Sequence, residues 1–455
     1  MKSQPQSKHQ EKQWPLVSPD AAGLDIGASE IWVCVPTDRA TPAVRSFATF
    51  TPDLQALADW LTVCQVRTVA MESTGVYWVP VFELLEARGF EVYLVNARHI
   101  KNVPGRKSDV QDCQWIQQLH SYGLLRASFR PEAEMAVLRA YLRHRQMLIE
   151  HRAAHIQHMQ KALQLMNLLL PRVVSDITGL TGMQIIRAIV AGERDPQVLA
   201  AYRQGRCRHS EVEIAKALTG TYRQEHVFTL KQALALYDAY SEQMRACDVE
   251  IEQHYATLRP RFDPEAPDHP LGPNPKPNTH SKNAPAGSVR RPLFQLAGVD
   301  LTAVDGLNEA TVQIVLSEIG TDMTKWPTVK HFCSWLGLAP HNDITGGRVI
   351  RSQTLPGHNR AAQALRMAAQ SAGRGNSALG AFYRRLRARL GPEQAIIATA
   401  HKIARIVYHM LKQRQPYHPV SAADYDEHQQ QRELKSLQRR AAKLGLTLAP
   451  TPAPV

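Results

Sequence analysis

Four carboxylates define the chemistry open to this chain. Asp25 lies in the apolar run Ala-Gly-Leu-Asp25-Ile-Gly, and Glu72 closes the run Thr-Val-Ala-Met-Glu72-Ser-Thr-Gly. Asp109 and Asp112 follow in Lys-Ser-Asp109-Val-Gln-Asp112-Cys-Gln-Trp-Ile, a spacing that puts both on one face of a helix. Two strand-end acids and an i, i+3 helical pair supply hard oxygen ligands suited to one or two Mg²⁺ ions, a metal normally shared with phosphate oxygens. The chemistry implied is phosphoryl transfer on a nucleic acid. Acids are also common at strand ends and helix starts on electrostatic grounds alone, so the set of four in this order carries the expectation.

A second constellation lies far along the chain, in Trp335-Leu-Gly-Leu-Ala-Pro340-His-Asn-Asp-Ile-Thr345-Gly-Gly-Arg348-Val-Ile-Arg351-Ser352. Thr345 and Ser352 are candidate nucleophiles, since a hydroxyl can attack once a base or metal activates it. The glycines let the backbone approach a phosphate, and Arg348 and Arg351 can neutralise it. A Thr-Gly-Gly turn with no chemistry is the competing reading. Upstream, Ala303-Val-Asp-Gly306-Leu-Asn308-Glu reads as a helix-hairpin-helix turn offering N–H groups near Gly306 to a phosphate, with Asn308 where a second glycine is usual.

The elements that must hold these residues follow from periodicity. Apolar runs near 21–26, 31–36, 43–49, 67–71 and 90–95 predict strands, and patterns at 52–64 and 76–88 predict helices. The domain at 20–125 is therefore α/β, with three consecutive strands before strand and helix alternate. Over 131–259 the pattern changes to long helices with a smaller insertion at 172–228. Leu142, Ile149, Ile156, Leu163 and Leu170 recur every seven residues, predicting a coiled-coil seam ending at Pro171. A flexible Pro-rich linker is expected at 260–292, where Pro260, Pro264, Pro267, Pro270, Pro273, Pro275, Pro277 and Pro285 fall, then a mostly helical domain at 293–417 and a tail at 418–455 with a helix at 427–444.

Composition narrows the partners. The 455 residues carry a formal net charge of +13, and between Arg348 and Arg414 there are thirteen Lys or Arg against the single acid Glu393. A one-sign field of that density points to a polyanion, and Arg360 and Arg366 join Arg348 and Arg351 as candidate backbone contacts. The polar start of the chain lacks a signal-peptide core, and no apolar segment approaches membrane-spanning length, so a cytoplasmic, nucleoid-associated protein is expected. The six cysteines are scattered without a C-x-x-C pair, which argues for reduced thiols.

Taken together, these motifs resemble the DEDD transposases of insertion sequence families 110 and 1111, the bridge-RNA-guided or seeker-RNA-guided recombinases. The resemblance rests on Gly-Leu-Asp25-Ile-Gly, Met-Glu72-Ser-Thr-Gly-Val-Tyr-Trp, Asn96-Ala-Arg-His, Lys107-Ser-Asp109-Val-Gln-Asp112, Gly337-Leu-Ala-Pro340, Thr345-Gly-Gly and Asn359-Arg-Ala-Ala-Gln-Ala-Leu-Arg366. It implies a RuvC or ribonuclease H-like domain with the four acids as Mg²⁺ ligands, a coiled coil and a C-terminal transposase domain. It further implies donor and target DNA, an element-encoded noncoding guide RNA, and a homodimer or tetramer in which one subunit's metal site completes another's nucleophile site. The family uses a serine as nucleophile; Thr345 stands at the matching position, with Ser352 as the fallback. The alternative is a hydrolytic RuvC-like junction nuclease with no covalent intermediate. Leu-Asp25-Ile-Gly also resembles the phosphate loop of actin-like ATPases, but no second loop of that kind accompanies it.

Overall fold

The computed structural model describes residues 15–73, 75–96, 108–265, 270–274, 282–354, 357 and 359–449. Of the motif residues above, Thr74, Ala97, Arg98, His99, Lys107, Pro267, Pro275 and Pro277 lie outside the described residues. The chain divides into two compact units, one ending at Arg130 and one starting at Pro131.

The first unit is a five-stranded mixed sheet in the order β3-β2-β1-β4-β5, built from β1 (Ala21–Ile26), β2 (Glu30–Cys34), β3 (Val44–Ala48), β4 (Thr68–Glu72) and β5 (Glu91–Val95). The first three strands form an antiparallel meander, and β4 and β5 join parallel to β1. Helices α1 (Thr51–Val63) and α2 (Trp78–Ala87) make the parallel crossovers. In α1, Leu54, Leu57, Ala58 and Leu61 recur at helical spacing and enter one core with Ala22, Leu24, Met71, Phe82 and Leu85. A separate cluster of Ala70, Val95, Ile116 and Leu125 joins the sheet to α3 (Asp109–Ser121). This arrangement is consistent with the RuvC-like fold.

In the second unit, α4 (Ala133–Leu165) and α9 (Gln224–Thr257) pack antiparallel, since Tyr141 meets His254 while Arg152 meets Ser241. Residues of α4 recur toward the partner at alternating steps of three and four: Met135, Leu138, Leu142, Arg145, Ile149, Arg152, Ile156, Met159 and Leu163. The sevenfold leucine and isoleucine repeat is thus one half of the stripe, and the other half is polar at its centre. Arg145, 7% exposed, forms a bidentate pair with Asp248 at 2.5 and 3.1 Å and donates to the carbonyls of Asn283 and Ala284. The predicted seam runs one heptad too far, because α4 ends at Leu165 and Leu170 begins the four-residue helix α5 (Leu170–Val173). Between the long helices, α5, α6 (Leu180–Ala191), α7 (Pro196–Ala200) and α8 (Glu211–Ala217) share a core with Met159, Leu163, Leu230 and Leu234.

The Pro-rich stretch makes side-chain and backbone contacts where it is described. The Arg261 and Phe262 amides donate to the Gln295 carbonyl, and Lys282 reaches Asp176 at 2.5 Å. Arg143 then ties α4 to Glu318 at 2.8 Å. Beyond it lie α10 (Arg290–Ala297), α11 (Glu309–Ile319), α12 (Val329–Trp335), a hairpin of β6 (Pro340–Thr345) and β7 (Arg348–Thr354), then α13 (Arg360–Gly373), α14 (Ala378–Leu390), α15 (Pro392–Gln413) and α16 (Ala422–Lys443). No helix among the described residues is long and apolar enough to cross a membrane.

Candidate active site

Strand register brings the first pair of acids together. Leu24 is level with Met71 in the parallel β1–β4 pair, so the next residues, Asp25 and Glu72, fall side by side at the carboxyl ends of neighbouring strands. That end of a parallel pair is where α/β folds place their ligands. Alternation sends Leu24 and Met71 into the core with α1 and α2 and leaves Gly23, Asp25 and Ala70 on the face that α3 covers.

The second pair comes with α3. Ser108 caps this helix by accepting from the Gln111 amide, which sets Asp109 and Asp112 in its first turn, where the helix dipole favours negative charge. At the other end, buried His120 and Thr68 Oγ1 lie 2.8 Å apart, and Gln117 donates to the Ala21 carbonyl at 3.3 Å. Burial holds the His120 imidazole below its ordinary range. The closest approach is at Gly23, where a Cβ would stand 2.2 Å from the Gln117 nitrogen and 2.4 Å from the Cys113 oxygen. Only glycine lets the helix backbone press on β1 at that point. Gly23 was not among the sequence candidates; its signal was its place two residues before Asp25 on the strand's helix-facing side.

The other three carboxylates act on Asp25. The Asp25 carboxyl is pushed up to about 6, first by burial and then by the charges of Asp109, Asp112 and Glu72. A cluster of this kind opposes its own ionisation and is relieved by a bound cation. Among the described residues, no three His, Cys, Asp or Glu side chains are gathered closely enough to hold a metal ion. What the structure shows of the four acids is a charge cluster around Asp25. Their donor chemistry, all hard oxygen, still fits a divalent ion.

The hydroxyl candidates lie in the second unit, on strands not foreseen in a domain read as mostly helical. Gly346 and Gly347, with φ of 56° and 76°, form the two-residue turn between β6 and β7, the left-handed geometry that tight hairpins require. Thr345 pairs with Arg348 and Ile344 with Val349, but Asp343 pairs with Arg351, so Ile350 is an extra residue, a bulge. In an unbroken strand, Arg348 and Arg351 would point to opposite faces. The bulge returns Arg351 to the face of Arg348, and cross-strand pairing places Thr345 and Asp343 there too. His341 Nε2, 3.7 Å from Asp343 Oδ1, belongs to the same face. Ser352 pairs with Asn342 on the other. Every residue of β6 is exposed.

The remaining candidates divide. Arg360 opens α13 behind the Asn359 cap, and the Arg366 Nε is buried with no hydrogen-bond partner among the described residues. Gly306, at φ 88°, would drive a Cβ to 2.2 Å from the Ala368 oxygen, so its open geometry serves the contact with α13. Asn308 caps α11 by accepting from the Thr311 amide at 2.8 Å, which accounts for asparagine where a second hairpin glycine is usual. The element before this turn is only the 3₁₀ turn Leu301–Ala303.

A mixed sheet with acids at its carboxyl edge is thus followed by a basic, mostly helical region with an exposed hydroxyl. Residues 22–168 match the family model for IS110 DEDD transposases, described as a transposase, and residues 300–384 match that of the transposase IS116/IS110/IS902 family. Together the two stretches span just over half of the chain, which belongs to the IS110 family of DEDD transposases. It is accordingly an enzyme of DNA recombination, and transposases of this class generally use divalent metal ions. No curated protein matches the chain.

Proposed function

We propose that this transposase cuts and rejoins DNA through a covalent Thr345–DNA phosphoester. The observation that carries the reading is the bulge at Ile350, which gives Thr345 one face in common with Arg348 and Arg351 and leaves Ser352 outside it. Two guanidiniums beside a hydroxyl suit a phosphodiester, because each can chelate phosphate oxygens while the hydroxyl approaches phosphorus. Thr345 Oγ1 forms the new P–O bond as the bond to the DNA 3′-oxygen breaks. The hydroxyl proton passes to solvent, and the departing oxygen takes up a proton. Attack by the 3′-hydroxyl of another strand reverses the step and restores Thr345, so no ATP is needed.

Asp25, Glu72, Asp109 and Asp112 would hold one or two divalent ions, Mg²⁺ by the hardness of the donors. When bound, the metal supplies Lewis-acid charge against the developing phosphoryl oxygens. These acids and Thr345 lie in different units of the chain, so catalysis requires both at one phosphate, from one copy or from two copies of a homodimer or tetramer. Family resemblance supports an element-encoded guide RNA that selects donor and target DNA by base pairing, and the basic field from Arg348 to Arg414 offers backbone contacts that need read no sequence. Incubation with nicked element-end DNA and Mg²⁺ should give an SDS-resistant protein–DNA adduct that is lost in Thr345→Ala, retained in Thr345→Ser and unaffected in Ser352→Ala. Cleavage without an adduct would instead establish the hydrolytic junction nuclease.

A further inference from the structure

A cavity of about 360 Å³ lies between the C-terminal half of α15 and the segment that follows it, at the end of the basic field and lined by none of the acids or hydroxyls assigned above. One side is cationic. Lys402, Arg405 and His409 recur at i, i+3 and i+7, on one face of the helix, and His418 joins them from the following segment. Arg405 is exposed and has no carboxylate partner among the described residues. The rest of the lining includes the apolar Ile406 and Met410 and the aromatic Tyr417.

Two features show that the pocket is built. Lys402 is wedged against aromatic rings, 4.3 Å from the Phe382 centroid and 5.0 Å from that of Tyr425, so its ammonium is fixed. Burial, with Arg385, Arg432 and Arg405 around it, lowers its affinity for a proton, which marks the wall as short of negative charge. At Tyr417, burial first and then the Asp305 carboxylate push the phenol up to about 12, so the ring stays neutral.

We infer that this pocket receives one unpaired nucleotide of a single strand, its phosphate against Arg405, His409 and His418 and its base against Met410 and the Tyr417 ring. The volume lies at the low end of the roughly 300–1,000 Å³ typical of small-ligand sites, which suits a single nucleotide. An aromatic face beside cations is the arrangement by which proteins hold single strands, because every base has a π face. A duplex offers only phosphates to the same wall. The inference rests on the nucleic-acid partner of the proposed function but not on covalent chemistry at Thr345.

Fluorescence anisotropy on the full chain, with labelled single-stranded DNA, single-stranded RNA and duplex DNA of one sequence, tests it. Arg405→Ala and His409→Ala, both at exposed positions, should each weaken single-strand binding about tenfold with little change on duplex. Arg439→Ala, the same loss of charge on α16, should change it less than twofold. A loss on either the DNA or the RNA strand supports the pocket and names its source. No loss on both strands, an equal loss on duplex, or an equal loss in Arg439→Ala overturns it. Photocrosslinking of 5-iodouridine strands should label the peptide from Gln413 to His418, and labelling confined to the β6–β7 hairpin would also overturn it. Thr345→Ala should bind single strands like the parent protein, so failure of the covalent reading leaves this test intact.

Discussion

The acid cluster and the Thr345 hairpin are built on opposite principles. Asp25 and Glu72 sit on adjacent central strands, and Asp109 and Asp112 ride on a helix pressed to 2.2 Å of a glycine's missing Cβ, with buried His120 and Thr68 securing its far end. Thr345, by contrast, lies on a two-stranded ribbon exposed along the whole of β6 and turned by Gly346 and Gly347. The carboxylates are preorganised by core packing, as suits charges that repel one another and must be held against that repulsion. Thr345 rides on an exposed ribbon, so in the proposed reaction its final alignment would fall to the DNA. A site fixed by the core loses stability and activity together when disturbed, whereas a site on a ribbon loses activity alone.

The sharpest break of that contrast is Thr345→Ala. Adduct formation should fall by about 10⁴-fold or more, the scale on which removal of a nucleophile acts, while the melting temperature stays unchanged; a large fall in the melting temperature would show the hairpin to be structural. Next is Gly23→Ala. Its methyl meets backbone and not a yielding side chain, so thermal unfolding should reveal a loss of about 3 kcal/mol, with strand cleavage falling alongside. If full stability and activity survived, α3 would not be held by that contact.

Asp25→Asn separates charge from packing. Its folded pKa of about 6 lies above the ordinary 3.8, so ionisation is harder in the folded state than in the unfolded one. Stability from this group is fully present below about pH 3.8 and is lost as pH rises through about 6. In chelator-treated protein, Asp25→Asn should therefore melt higher than the parent at pH 7.5, with the difference closing toward pH 4. Added Mg²⁺ should raise the melting temperature of the parent more than that of the variant. An identical Mg²⁺ response would remove Asp25 from the metal site. The smallest effect is expected at Gly347→Ala, where nothing stands within 4 Å and only the φ of 76° is strained. A cost of about 1 kcal/mol, confined to the hairpin, should slow adduct formation severalfold and leave global unfolding unmoved.

Much of this was legible before any coordinates. The five strands of the first unit fall within a residue or two of their predicted bounds, most plainly β1 and β4, which are apolar runs largely buried on both faces. The β6–β7 hairpin was missed although Ile344-Thr-Gly-Gly-Arg-Val-Ile carries a hairpin signal, two glycines flanked by β-branched residues. The surrounding segments are helical on both sides, so the short ribbon has no neighbouring strand pattern to support it. Arg145 could not be read as part of a helical seam, since an arginine faces a partner helix only when a specific carboxylate, here Asp248, lies across from it.

The sequence by itself determined the chemical inventory: four acids in order, two hydroxyls beside paired arginines, a basic field from Arg348 to Arg414, and the class of fold that strand and helix periods allow. Only the tertiary structure decided which of those groups share a surface. Parallel register set Glu72 beside Asp25, the missing side chain of Gly23 admitted α3, and one unpaired residue in β7 put Arg351 on the face of Thr345 and kept Ser352 off it. Periodicity is a property of short segments, which local composition records. Register, close backbone contact and bulges depend on partners distant in the chain, and no local pattern specifies them.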